Sequence, residues 1–173
     1  MKPAFLRLTV FFVLVLLSCV GKNAAAQKNT AISFIVSMQH PETHLFMVSM
    51  ECKGFKADSI EFKMPAWTPG YYQLLHFADL VSAFEVKNAA GKTLAWRRSS
   101  ANGWMVKTGG SSSFRISYAV SATVSFVAKN FLDSNRAYVS PPGVFLHPAN
   151  LLNLKVSVTF KPFENWTTIA TGL

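Results

Sequence analysis

Phe114-Arg115-Ile116-Ser117-Tyr118-Ala119-Val120 sets a large apolar side chain at every second position, with Arg, Ser and Ala between them. A strand turns successive side chains to opposite faces, so this spacing predicts a β-strand with one face in a core and one in water. The same two-residue period recurs on both sides of it. Ile32, Phe34, Val36 and Met38 alternate near the front, and Phe46, Val48, Met50 and Cys52 follow. Ile60, Phe62 and Met64 come next, and Leu154, Val156, Val158 and Phe160 repeat the pattern near the end.

Turn residues separate these runs. His40-Pro41-Glu42, Gly54 with Ala57-Asp58-Ser59, and Gly109-Gly110-Ser111-Ser112-Ser113 interrupt the alternation. Asn88-Ala89-Ala90-Gly91-Lys92 is a hairpin loop between predicted strands at residues 83–87 and 93–97. Asn102-Gly103 precedes a short strand at residues 104–107, and residues 166–170 make a last one. The best helical candidate, residues 71–80, carries no sustained helical stripe and is allowed one turn or two. Many short strands with turns between them predict an all-β fold, an antiparallel β-sandwich, with at most one or two short helical turns.

The first residues predict export. Lys2 and Arg7 precede an apolar run at residues 8–17, and Ala24-Ala25-Ala26-Gln27 supplies a small-residue cleavage site. These are the three parts of a signal peptide, read here as residues 1–26. The run is only half the length of a membrane-spanning helix, and nothing after residue 27 is long and apolar enough to span a bilayer. Leu16-Leu17-Ser18-Cys19 resembles a bacterial lipoprotein box, although Leu17 stands where a small residue is favoured. A lipid anchor at Cys19 is therefore the alternative to cleavage before Gln27. Residues 27–173 are then one β-sandwich domain, large enough for a proper core.

Charge and cysteine content exclude several function classes. Loss of Lys2, Arg7 and Lys22 with the leader leaves 14 basic residues against 8 acidic ones, a net charge of +6. The basic residues are scattered, with Arg97-Arg98 the only adjacent pair, so the chain lacks the basic stripe of a nucleic-acid binder. Cys52 alone remains after the leader and cannot form an internal disulfide. Its place in an alternating strand predicts a buried, inert thiol.

A complete catalytic site is missing from the sequence. His40 and His44 are four apart, but Pro41 between them rules out a helical metal pair, and no His-Glu-x-x-His occurs. There is no nucleophile elbow and no phosphate-binding glycine loop. No catalytic residue, metal ligand or cofactor site is assigned within the chain. Asn165-Trp166-Thr167 matches a glycosylation sequon but sits in a chain of bacterial character.

One segment stands apart. In Met64-Pro65-Ala66-Trp67-Thr68-Pro69-Gly70-Tyr71-Tyr72, two prolines stiffen the backbone and Gly70 permits a tight turn. Trp67, Thr68, Pro69, Gly70, Tyr71 and Tyr72 form the candidate contact loop. Such a loop either caps the core or offers rigid aromatic anchors to a partner, a peptide or a glycan.

This segment closely resembles the signature Met-Pro-x-Trp-Thr-Pro-Gly-Tyr-Tyr in the N-terminal domain of glycyl aminopeptidase-type metallopeptidases of family 61. Asp58-Ser59-Ile60-Glu61-Phe62-Lys63 resembles the strand leading into it, and Leu94-Ala95-Trp96 with Asn102-Gly103-Trp104 the hairpin after it. Asn135-Arg136-Ala137-Tyr138-Val139 and the closing Ile169-Ala170-Thr171-Gly172-Leu173 resemble later parts of the same domain. The resemblance implies a β-sandwich that precedes a thermolysin-like zinc domain, where the zinc ligands and the general base reside. The chain by itself is then no enzyme. It is expected to be a fragment or truncated product whose partner is a downstream catalytic peptidase domain and whose cleft receives a peptide substrate. The expected location is the periplasm, the outer membrane or the medium of a bacterium. The alternative is a free-standing secreted module that binds glycans or peptides through Trp67, Tyr71, Tyr72 and Trp104.

Overall fold

Ile32, Phe34 and Val36 point one way from the first strand and are all buried, as their spacing requires. The computed structural model describes residues 30–164 and 166–171. The leader, Cys19 and Asn165 of the sequon lie outside the described residues.

Eleven strands follow in order among the described residues. They are β1 (Ala31–Ser37), β2 (Leu45–Lys53), β3 (Ser59–Lys63), β4 (Val81–Asn88), β5 (Trp96–Ser100), β6 (Gly103–Lys107), β7 (Ser113–Ser121), β8 (Phe131–Leu132), β9 (Ala137–Tyr138), β10 (His147–Pro148) and β11 (Lys155–Lys161). One sheet has the order β11-β1-β2-β7-β4, and a second has β10-β3-β6-β5. The strands β8 and β9 form a separate small hairpin. Among the described residues, helix is limited to short 3-10 turns at Pro41–Thr43, Phe77–Leu80 and Pro141–Gly143. The fold is an all-β sandwich, and the residues from Ala31 onward form one compact unit.

The two sheets meet through the residues whose alternation was legible. Phe55, Phe62 and Phe114 lie with ring centroids 5.7–6.2 Å apart and join the sheets at one place. Fully burying such a ring stabilises by about 1.5–3 kcal/mol relative to leaving it in water. Phe84 stacks on Trp104 with centroids 5.3 Å apart and near-parallel planes. Tyr118 is buried, and its hydroxyl donates to the Val144 carbonyl at 2.7 Å.

Three details differ from the sequence reading. The strand β11 pairs with β1 in parallel, so the sandwich is not wholly antiparallel. The expected hairpin at residues 83–97 keeps its turn, where Asn88 Oδ1 accepts from the N–H groups of Ala90 and Lys92 at 3.0 Å. Beyond the Lys87–Thr93 bridge its strands part, β4 joining β7 and β5 joining β6 in the other sheet. Residues 166–170 form no strand; Trp166 instead donates its indole N–H to Ser134 O at 3.1 Å. For β11 and β4 the local pattern was right about the strand, but the ladder partner lies far away in sequence.

Within β4 the pairing with β7 shifts between Ser82 and Glu85. Ala83 takes φ 49 there, a left-handed conformation that costs a residue with a Cβ roughly 1–2 kcal/mol. This bulge leaves Phe84 against Trp104 and kinks the outer edge of the sheet.

Candidate functional site

The loop after β3 runs from one sheet to the other, ending in the 3-10 turn Phe77–Leu80 that leads into β4. Both of its ends are anchored in the core. Met64 and Phe77 are buried, and Met64 N–H donates to Asn102 O at 2.9 Å. Between them Leu75 N–H donates to Ala66 O at 2.8 Å and closes the loop at its neck.

The tip is a tight turn. Tyr71 N–H donates to Thr68 O at 3.2 Å, and Gly70 adopts φ 83. Pro at the second position and a positive-φ Gly at the third are the residues of a type II turn. A Cβ at Gly70 would meet nothing within 4 Å, so only backbone conformation demands glycine there.

This geometry decides where the aromatics face. Trp67 is 51% exposed and Tyr72 92% exposed, with Leu74 beside them at 64%. Tyr71 is half-buried: its ring packs edge to face on Phe126 with centroids 5.4 Å apart, and its hydroxyl bonds Gln73 Oε1 at 3.3 Å. The loop is therefore anchored like a core cap and displayed like a contact surface.

Phe126 belongs to a second loop, residues 122–130, which adds exposed Val124 and Val127 to the same end of the sandwich. The sequence reading assigned nothing to this stretch. Its signal was the cluster Val124-Ser125-Phe126-Val127, apolar residues in a segment without a strand partner. Asn130 fixes the far end of this loop: its buried amide donates to Gly143 O at 2.9 Å and accepts from Ser140 N–H at 2.8 Å. Gly143 in turn lies against the Phe77 ring, which a Cβ would approach to 2.7 Å.

Trp104 does not share this surface. It lies on the inner face of β6 and is 1% exposed, between the Phe84 ring and the Arg98 guanidinium, which sits 4.3 Å from its ring centroid. The strand alternation that buries Val106 buries Trp104 with it.

Cys52 is buried, and burial pushes its thiol far up from the usual range, with the Glu51 charge adding to the effect. A thiol held in that state is a poor nucleophile. The His44 ring nitrogen lies 2.5 Å from Leu132 O, while His40 lies exposed beside Glu42 at 3.3 Å. Among the described residues no three His, Cys, Asp or Glu side chains gather in the way a metal site needs. Among the described residues, also, no helix is long and apolar enough to cross a membrane.

Comparison with known proteins agrees with this architecture. The family model of the peptidase M61 N-terminal domain matches residues 33–173. A crystal structure of an aminopeptidase N family protein from Idiomarina loihiensis superposes with a TM-score of 0.69 at 20% identity. The superposition covers 76% of this chain and 22% of that one, so this chain corresponds to about a fifth of that protein. No curated protein matches.

Proposed function

The chain belongs to the peptidase M61 N-terminal domain family, and from that premise we propose that it is the non-catalytic first domain of an exported bacterial zinc aminopeptidase. In this role it is a scaffold against which the catalytic domain packs and which helps to shape the substrate cleft. The zinc and the general base belong to that second domain. The charged start, apolar run and Ala24-Ala25-Ala26 of the leader support export to the periplasm, the outer membrane or the medium, with lipidation at Cys19 as the alternative route.

The observation that carries this reading is the display of Trp67 and Tyr72 on a turn whose two ends are locked into the core. Rigid aromatic anchors lose little entropy on contact and suit an interdomain or peptide interface. An isolated domain of this kind has no cleft chemistry. The purified chain should hold no stoichiometric zinc by elemental analysis and release no product from glycyl or alanyl p-nitroanilide. Steady hydrolysis by the pure chain would overturn the proposal. In the complete peptidase, Trp67→Ala and Tyr72→Ala should lower kcat/KM with zinc content unchanged.

The same exposure favours one other reading, a secreted glycan- or peptide-binding module built on Trp67, Tyr71 and Tyr72 but not on buried Trp104. Saturable binding of a glycan or peptide to the isolated chain, lost in Trp67→Ala, would select it.

A further inference from the structure

The strand β11 closes one side of the five-stranded sheet and, among the described residues, pairs only with β1. Met38 N–H donates to Lys161 O at 2.8 Å, so the backbone polar groups of Lys161 face β1. Successive residues of a strand turn these groups to opposite sides. Those of Ser157 and Thr159 therefore face β1 as well, and those of Val156, Val158 and Phe160 face outward from the sheet.

The two edges of this sheet are built differently. At the far side β4 is kinked by its bulge at Ala83, a device that discourages further pairing. In contrast, β11 keeps an unbroken register with β1 over all seven of its residues. Beside it opens a cavity of about 780 Å³, whose lining includes Val158, Phe160, Tyr138, Val139, Phe145 and Ile169. This volume lies in the range of ligand pockets, and the lining is largely apolar. Lys155 and Lys161 stand at the two ends of the strand, and neither forms an ion pair among the described residues.

We propose that β11 accepts an extended peptide as an added strand, and that the partner alternates apolar residues between acidic flanks. The outward N–H and C=O groups of Val156, Val158 and Phe160 would supply the main-chain bonds. Apolar side chains on the inner face of the added strand would enter the cavity, and its acidic flanks would meet Lys155 and Lys161. Main-chain pairing gives such docking its affinity, and pockets for alternate side chains give it specificity. A second copy of the chain suits the edge less well, because antiparallel pairing of β11 with itself sets Lys155 against Lys161, a like-charge pair. The aromatic loop plays no part in this proposal, which stands or falls apart from the peptidase reading.

The test uses the intact chain and a fluorescein-labelled synthetic peptide, Glu-Glu-Val-Thr-Val-Thr-Val-Glu-Glu, followed by fluorescence anisotropy. Saturable binding is expected, and it should weaken with added salt. Val158→Pro removes one outward N–H without removing a bond to β1, and should weaken binding roughly tenfold, about one hydrogen bond's worth. The double variant Lys155→Glu, Lys161→Glu should weaken it further and restore binding to a Lys-flanked peptide. A peptide N-methylated at alternate residues should fail to bind wild-type chain, which keeps the test decisive even where Val158→Pro disturbs folding. Absence of saturable binding, or equal binding of the N-methylated peptide, overturns the proposal. So does a β11-dependent dimer in sedimentation analysis that the peptide cannot compete apart.

Discussion

The ring of Tyr71 meets that of Phe126 edge to face, with centroids 5.4 Å apart, and so ties the Pro69-Gly70 turn to a loop far away in sequence. Such a pair is worth about 0.5–1.5 kcal/mol beyond its buried area. With both residues partly open to water, the lower end applies. A double-mutant cycle on Tyr71→Ala and Phe126→Ala, read by urea denaturation, should give a coupling of about 0.5 kcal/mol. Simple additivity of the two variants would show that the loops do not support each other.

Tyr72 touches little and should matter little to folding. Tyr72→Ala is expected to leave the unfolding free energy within about 0.5 kcal/mol of wild type. A thermal melt checks this, and a large drop in Tm would mean that the exposed tip has a structural duty after all.

Gly70 tests backbone conformation without steric complication, because a Cβ there enters open space. Gly70→Ala should cost about 1 kcal/mol, and Gly70→Asn less, since Asn tolerates the left-handed region better. Equal stability of all three forms in chemical denaturation would rule out the type II turn.

Tyr118→Phe keeps the buried ring and deletes only the hydroxyl that donates to the Val144 carbonyl. A buried acceptor left without its donor costs about 1–3 kcal/mol. The loss should appear as a lower denaturation midpoint with an unchanged m-value.

Asp133 gives the small β8–β9 hairpin a dependence on pH. Its carboxylate accepts from the backbone N–H groups of Arg136 at 2.9 Å and Asn135 at 2.8 Å, which holds its pKa below the usual carboxylate value. A pKa lowered by folding means that the turn is fully supported above the unfolded value near ~3.9 and loses support as pH falls through the folded one. Carboxyl-carbon NMR should place the Asp133 midpoint below that of an unstructured peptide. Amide exchange in residues 131–138 should quicken over the same acid range, and Asp133→Asn should flatten that response.

Much of the sandwich was legible because its signals are local. Side chains alternate along a strand whatever its neighbours are, so the inward faces of β1, β2, β3 and β7 follow from spacing alone. Pro69 followed by Gly70 names its own turn in the same way. The rest was not legible, because it depends on which distant segment lies alongside. Nothing within residues 154–160 says that their partner is β1 or that the pairing is parallel. Nothing near Asn88 says that β4 and β5 will join different sheets.

The contact surface divides along the same line. By itself the sequence determined that Trp67, Tyr71 and Tyr72 sit on a stiff turn, and that Trp104 and Val106 share one face of a strand. Only the tertiary structure decided that the Trp104 face is the core and that Trp67 and Tyr72 face solvent while Tyr71 leans on Phe126. The physical reason is that turn geometry and side-chain alternation are set by adjacent residues. Burial is set by the packing of two sheets whose contacts join residues far apart in the chain.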